Sequence, residues 1–123
     1  MELHSAPGSQ NGYDHSGKRG DIHFQDGDNP DRAAKVLRQM SQLMKDWIDE
    51  GVMQAETLAG IEILNEPHGF FPVWDFCYNK FNSKAYDQIR SVFPSESVPI
   101  AIQTGFRDFT KYGNYMQPPV SYL

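Results

Sequence analysis

A carboxylate placed where a strand ends is the first sign of chemistry in this chain. Ile61-Glu62-Ile63-Leu64-Asn65-Glu66-Pro67 is a short apolar run that closes on Glu66 and a proline. That is the pattern of a buried strand running into a loop. Pro67 biases the residue before it away from the helical region and toward extended geometry, so Glu66 is expected at the junction. In parallel-barrel enzymes, residues at that junction face the active site. A carboxyl group there can act as a general acid, and Asn65 beside it can hydrogen-bond a substrate hydroxyl. The same heptapeptide also reads as a polar strand terminus closed by a turn.

The rest of the chain must hold that junction. Residues 1–4 read as the end of a strand, and residues 5–28 as a long loop rich in Gly, Ser, Asn and Asp. Loops of that length inside a domain are usually functional or disordered. A helix then begins: Asn29 can cap it, Pro30 suits its first position, and Asp31 suits the positive end of its dipole. Ala33, Val36, Leu37, Met40, Leu43, Met44, Trp47 and Ile48 recur at spacings of three and four, one apolar stripe expected in the core, and Gly51 stops it. Residues 52–59 form a connection and residues 60–64 the strand that carries Glu66. Glu62 is awkward in a buried strand and is expected to pair inside the fold or to support the site. Residues 72–92 read as a second helix with Trp74, Tyr78, Phe81, Ala85, Ile89 and Val92 on one side, ended by Pro94. Residues 98–103 form a third strand. Strand, helix, strand, helix, strand implies parallel pairing in an α/β fold.

Composition narrows the partners. The 123 residues suffice for one small domain with a real core. A net charge of −5 argues against nucleic acid, which is met by a basic face. No apolar run approaches the roughly 18 residues of a membrane span, so no membrane partner is expected, and no signal peptide is visible. Cys77 is the single cysteine, which rules out an internal disulfide. His4, His15, His23 and His68 lack metal-ligand spacing, and Gly8-Ser9-Gln10-Asn11-Gly12 is not a nucleophile elbow. No cofactor or metal is expected. An aromatic content of 13% suits sugar stacking and an ordinary core equally.

A second segment bears on the choice. Leu3-His4-Ser5-Ala6-Pro7-Gly8-Ser9-Gln10-Asn11-Gly12-Tyr13-Asp14-His15-Ser16-Gly17 resembles the loop after the third barrel strand in glycoside hydrolase family 5, most of all in its exo-β-1,3-glucanase branch. There the pattern reads roughly Asp-Leu-His-Gly-Ala-Pro-Gly-Ser-Gln-Asn-Gly-Phe-Asp-Asn-Ser-Gly. Further along, that branch carries Gly-Ile-Glu-Leu-Leu-Asn-Glu-Pro, matched here from Gly60 to Pro67, and the segment from Ile100 to Phe106 fits its fifth strand.

The resemblance implies a partial (β/α)8 TIM barrel covering roughly strands 3 to 5, with residues 1–123 as part of a catalytic domain whose N- and C-terminal portions are missing. A complete barrel needs about 250 residues. It further implies a retaining β-glucosidase acting on β-1,3-glucans, with Glu66 as proton donor and the nucleophile, a glutamate after the seventh strand, beyond Leu123. His4 and Asp14 match pocket residues, Asn65 matches the asparagine that holds the sugar 2-hydroxyl, and Tyr13 stands where the family has the phenylalanine of an aromatic clamp. His15 replaces the usual Asn, and His68 a common Leu; both departures are expected near the pocket, where they bear on substrate specificity. Gln10 and Asn11 are expected to hold the loop through backbone contacts, and Asp14, Asp75 and Asp108 to be solvated or capping rather than nucleophilic. The implied partner is a β-glucan, the implied location of the parent enzyme is extracellular or cell wall, and the chain alone is expected to be inactive. Two alternatives stay open: a truncated or degenerate product that contacts sugar without turnover, and a sibling activity such as β-1,4-endoglucanase or mannanase, because Asn-Glu-Pro is shared across the wider clan.

Overall fold

Helix α1 (Asn29–Asp49) buries Pro30, Ala33, Ala34, Leu37 and Ser41 on one stripe. The computed structural model describes residues 1–94, 98–108 and 110, and the backbone of 121–122. Val36, Met40, Met44 and Ile48 flank the stripe and pack against the core. The expected stripe is too wide: Leu43 and Trp47 stand 46% and 39% exposed. Both sit one helical step of about 100° beyond the buried line. The helix starts at Asn29 itself, with Asp28 in the capping position and no side-chain cap. Asn29 is therefore not the cap; its carboxamide donates to the His23 carbonyl at 2.9 Å and so ties the loop to the helix start. Gly51, at φ +72°, ends the helix as its type requires.

The second helical stretch is interrupted. Helix α2 (Val73–Phe76) runs into one π turn over Cys77–Phe81 and continues as α3 (Asn82–Arg90). A π turn inserts one residue and rotates the buried face. Val73 and Cys77 are buried before it, and Phe81, Ala85 and Ile89 after it. Trp74 and Tyr78, expected on the core side, are only half-buried and stack on each other at 5.1 Å. Across the α1–α3 contact, Lys84 pairs with Asp31.

Strands β1 (Ile61–Glu62), β2 (Ile100–Ile102) and β3 (Ser121–Tyr122) form a parallel sheet in that order. Ile61 is in register with Ile100, and Ala101 with Ser121. The strands are shorter than the expected 60–64 and 98–103, but hydrogen bonds continue past their ends, from Ile63 N–H to the Ala101 carbonyl and from Asn65 N–H to the Leu3 carbonyl. Residues 1–4 lie parallel along the free side of β1 through a Glu2–Glu62 bridge. Leu3, Ile61, Ile63, Ile100 and Ile102 share one core with the buried faces of α1 and α3.

Glu62 is set on the other side of the strand from Ile61 and Ile63. Burial, and then the nearby Glu2 carboxylate, push its carboxyl above the ordinary range, while a hydrogen bond with Gln103 acts the other way. Its Oε1 is enclosed and has no partner among the described residues.

Candidate functional site

The long loop is folded onto itself before it reaches anything else. Gly8 and His23 are joined by a bond from His23 N–H to the Gly8 carbonyl at 2.8 Å, and Gly12 and Gly20 by one from Gly20 N–H at 3.0 Å. Both Gly8 and Gly12 have φ near +80°, and a Cβ on either would come within 2.5 Å of the facing backbone. Only glycine allows that approach. Phe24, at the far end of the loop, is fully buried and meets Phe81 edge-on at 4.8 Å.

Two carboxamides carry the loop to the strand end. Gln10 is fully buried. Its Oε1 accepts from Ala6 N–H at 3.1 Å, and its Nε2 donates to the carbonyls of His4 and Asn65, each at 2.9 Å. Asn11 Nδ2 donates to the Glu66 carbonyl at 2.9 Å, while its Oδ1 accepts from Tyr13 N–H. His68 N–H returns to the Gln10 carbonyl. These bonds hold backbone, as expected for Gln10 and Asn11, and they draw Glu66, Tyr13 and His15 to one place.

Glu66 does not adopt the extended geometry expected before a proline. Its φ is +42°, in the left-handed region that side chains rarely occupy. Bonds to the flanking carbonyls and to His68 turn the chain there, and such over-determined strain is typical of residues held for a task. The Glu66 side chain is about a third exposed, and its Oε2 lies 3.2 Å from His15 Nε2. The His15 ring stands 5.6 Å from the ring of Tyr13 and 5.7 Å from that of His4.

A cleft of about 410 Å³ opens over Glu66, walled by Tyr13, His68, Phe70, Phe106 and Arg107. Phe70 and Phe106 are 69% and 82% exposed, so their ring faces are available to a ligand. Arg107 donates to the Gly69 carbonyl at 2.8 Å and lies 4.3 Å over the Trp74 ring, which fixes that wall. A carboxyl group at the floor of a cleft with aromatic walls can pass a proton to, or take one from, an atom of a ring-shaped ligand stacked above it.

Of the residues singled out in sequence, Glu66, Tyr13, Asn11 and His68 meet in this cleft. Asn65 is buried at the strand end beside Glu66 and does not line the cleft. His4 is exposed and outside the lining, with its Nδ1 on the Glu2 carboxylate at 2.6 Å. Asp14 is exposed and opens a single turn of 3-10 helix, Asp14–Ser16, also outside the lining. Asp108 does line the cleft, and its Oδ1 accepts from Thr110 N–H and Oγ1, a capping arrangement. Sequence reasoning missed the contact of His15 with Glu66, and the wall made by Phe70, Phe106 and Arg107. The replacement of Asn by His at position 15 was the one available signal. Among the described residues, no three His, Cys, Asp or Glu side chains are grouped to hold a metal, and no helix is long and apolar enough to cross a membrane.

Comparison with known proteins gives the site a context. No protein-family model matches the chain. Curated relatives do: glucan 1,3-beta-glucosidase 2 of Wickerhamomyces anomalus is 35% identical over 120 residues, covering 97% of this chain and 26% of that protein. Glucan 1,3-beta-glucosidase of Candida oleophila is 37% identical over 120 residues, with 95% and 27% covered. Glucan 1,3-beta-glucosidase I/II of Saccharomyces cerevisiae is 32% identical over 116 residues, with 94% and 25% covered. The chain thus spans about a quarter of the length of the curated relatives it matches.

Proposed function

From this relationship with glucan 1,3-beta-glucosidases along nearly the whole chain, we propose that the chain is part of a β-glucan hydrolase of glycoside hydrolase family 5. Its sheet and helices are the portion of a (β/α)8 barrel around strands 3 to 5, and the parent enzyme acts outside the cell or in the cell wall. Glu66 is the proton donor. The observation that carries the reading is the meeting of Glu66 and Tyr13 in one cleft at a strand end.

In the reaction, Glu66 gives its proton to the glycosidic oxygen as the bond to the anomeric carbon breaks, and later takes a proton from the attacking water. Tyr13 offers a ring face to the adjoining sugar. His4, Asp14 and Asn65 contribute sugar contacts once the remaining barrel strands close the pocket. Retention requires a second carboxyl group about 5 to 5.5 Å away as nucleophile, which this reading assigns to the part of the enzyme after Leu123. The chain by itself is then expected to release no glucose from a β-1,3-glucan.

The test uses an enzyme completed with the remaining three quarters of one of these relatives. Glucose release from β-1,3-glucan oligosaccharides should fall about 10²- to 10⁴-fold in Glu66→Gln. An unchanged rate would overturn the assignment of Glu66.

A further inference from the structure

His15 Nε2 lies 3.2 Å from two groups that ask opposite things of it. One is Asn11 Nδ2, which can only donate and so requires a lone pair on Nε2. The other is Glu66 Oε2, which as a carboxylate requires a proton there. No single tautomer serves both. Asn11 is itself fixed, because Nδ2 also donates to the Glu66 carbonyl and Oδ1 is held by Tyr13 N–H. The freedom in this cluster therefore resides in the His15 proton and the Glu66 carboxyl.

We propose that His15 is a positioning residue for Glu66, exchanging Asn11 for Glu66 as the partner of its Nε2 according to the charge on Glu66. This rests on the reading of Glu66 as the proton donor. With Glu66 as a carboxylate, the His15 proton is on Nε2 and is given to Oε2, which holds the carboxylate over the cleft. With Glu66 protonated, the imidazole proton is on Nδ1, Nε2 accepts from Asn11, and the carboxylic acid is free to turn to the glycosidic oxygen. Solvent at the half-exposed ring carries the proton between the two nitrogens. An asparagine at position 15 has no proton to move between two ring nitrogens.

Solid-state nitrogen-15 NMR of the sedimented chain, labelled at histidine, reads the tautomer directly and needs no turnover. At neutral pH the wild-type His15 signal should show Nε2 protonated, with close dipolar contact to the Glu66 carboxyl carbon. In Glu66→Ala the proton should move to Nδ1. His4 and His23 are built-in controls, since both engage a carboxylate through Nδ1 and should keep their signals in a folded variant. An unprotonated wild-type Nε2, or no contact with the Glu66 carboxyl carbon, overturns the proposal whether or not the variant folds. A His15 signal unchanged in a folded Glu66→Ala overturns it as well. In the completed enzyme, His15→Asn should change kcat severalfold and leave KM in place. Because the NMR results require no catalysis, a failed glucosidase reading and a failed role for His15 are told apart.

Discussion

The Asn11 carboxamide nitrogen lies 2.9 Å from the main-chain carbonyl oxygen of Glu66. Through that bond, a residue of the long loop sets the backbone of a residue at the far end of a strand. Gln10 does the same one step earlier, at Asn65. Glu66 is thus placed by two adjacent amides distant from it in sequence.

The two amides should separate stability from activity. Gln10→Leu leaves the His4 and Asn65 carbonyls and the Ala6 N–H without their partner, at a cost of about 3 kcal/mol. Asn11→Ala, at the edge of the cleft, should cost nearer to 1 kcal/mol. Urea unfolding of the chain measures both. In the completed enzyme, Asn11→Ala should lower kcat more than it raises KM, because it releases Glu66 and leaves the aromatic walls intact.

The dependence on leaving group should identify the role of Glu66. An activated aryl β-glucoside needs little protonation of its departing oxygen, so Glu66→Gln should slow glycosylation with it far less than with an unactivated oligosaccharide. Pre-steady-state kinetics on both substrates provide the comparison. Equal losses would assign Glu66 to binding.

Glu62 should make the chain less stable as pH rises. Burial holds its carboxyl above the ordinary glutamate range, so the folded state favours the protonated form. The stability this contributes is complete below the unfolded-state value and is lost as pH climbs through the raised folded value. Glu62→Gln, neutral at every pH, should match the wild type near about pH 4 and exceed it at neutral pH. Urea midpoints at the two pH values decide it.

Cys77 should be silent. Burial pushes its thiol up to about 12, and only the thiolate is nucleophilic. Iodoacetamide at mildly alkaline pH should label it negligibly in the folded chain and rapidly in urea, as read by intact mass. Fast labelling without denaturant would show that the π turn opens.

Much of the frame is legible from residue types. The spacing of Ala33, Leu37 and Met44 marks α1, and the apolar run into Asn65-Glu66-Pro67 marks a strand end with a carboxylate on it. Other features have no local signature. The π turn at Cys77–Phe81 adds one residue to an otherwise regular helix, and Trp74 and Tyr78 pack half-buried at the edge of the core. The proline rule for Glu66 describes a dipeptide, whereas its φ of +42° is set by amides on another segment. Phe24 lies among polar loop residues, yet it is wholly enclosed by the aromatic side chains beside α3. The meeting of His15 with Glu66 likewise exists only once the loop has folded onto the strand.

The paired glycines give the loop a kind of portability. Its closures at Gly8–His23 and Gly12–Gly20 are internal, while Gln10 and Asn11 plug into two successive carbonyls at the strand terminus. Residues 5–28 therefore amount to a cassette with a two-pin socket. Transplanted onto another strand that ends in two carbonyls at the same pitch, beside an apolar pocket that takes Phe24, the cassette would bring its tyrosine and its imidazole already aimed. Between the pins and the tip, Lys18, Arg19 and Asp21 are exposed; they are the positions at which such a cassette could be diversified without unseating it.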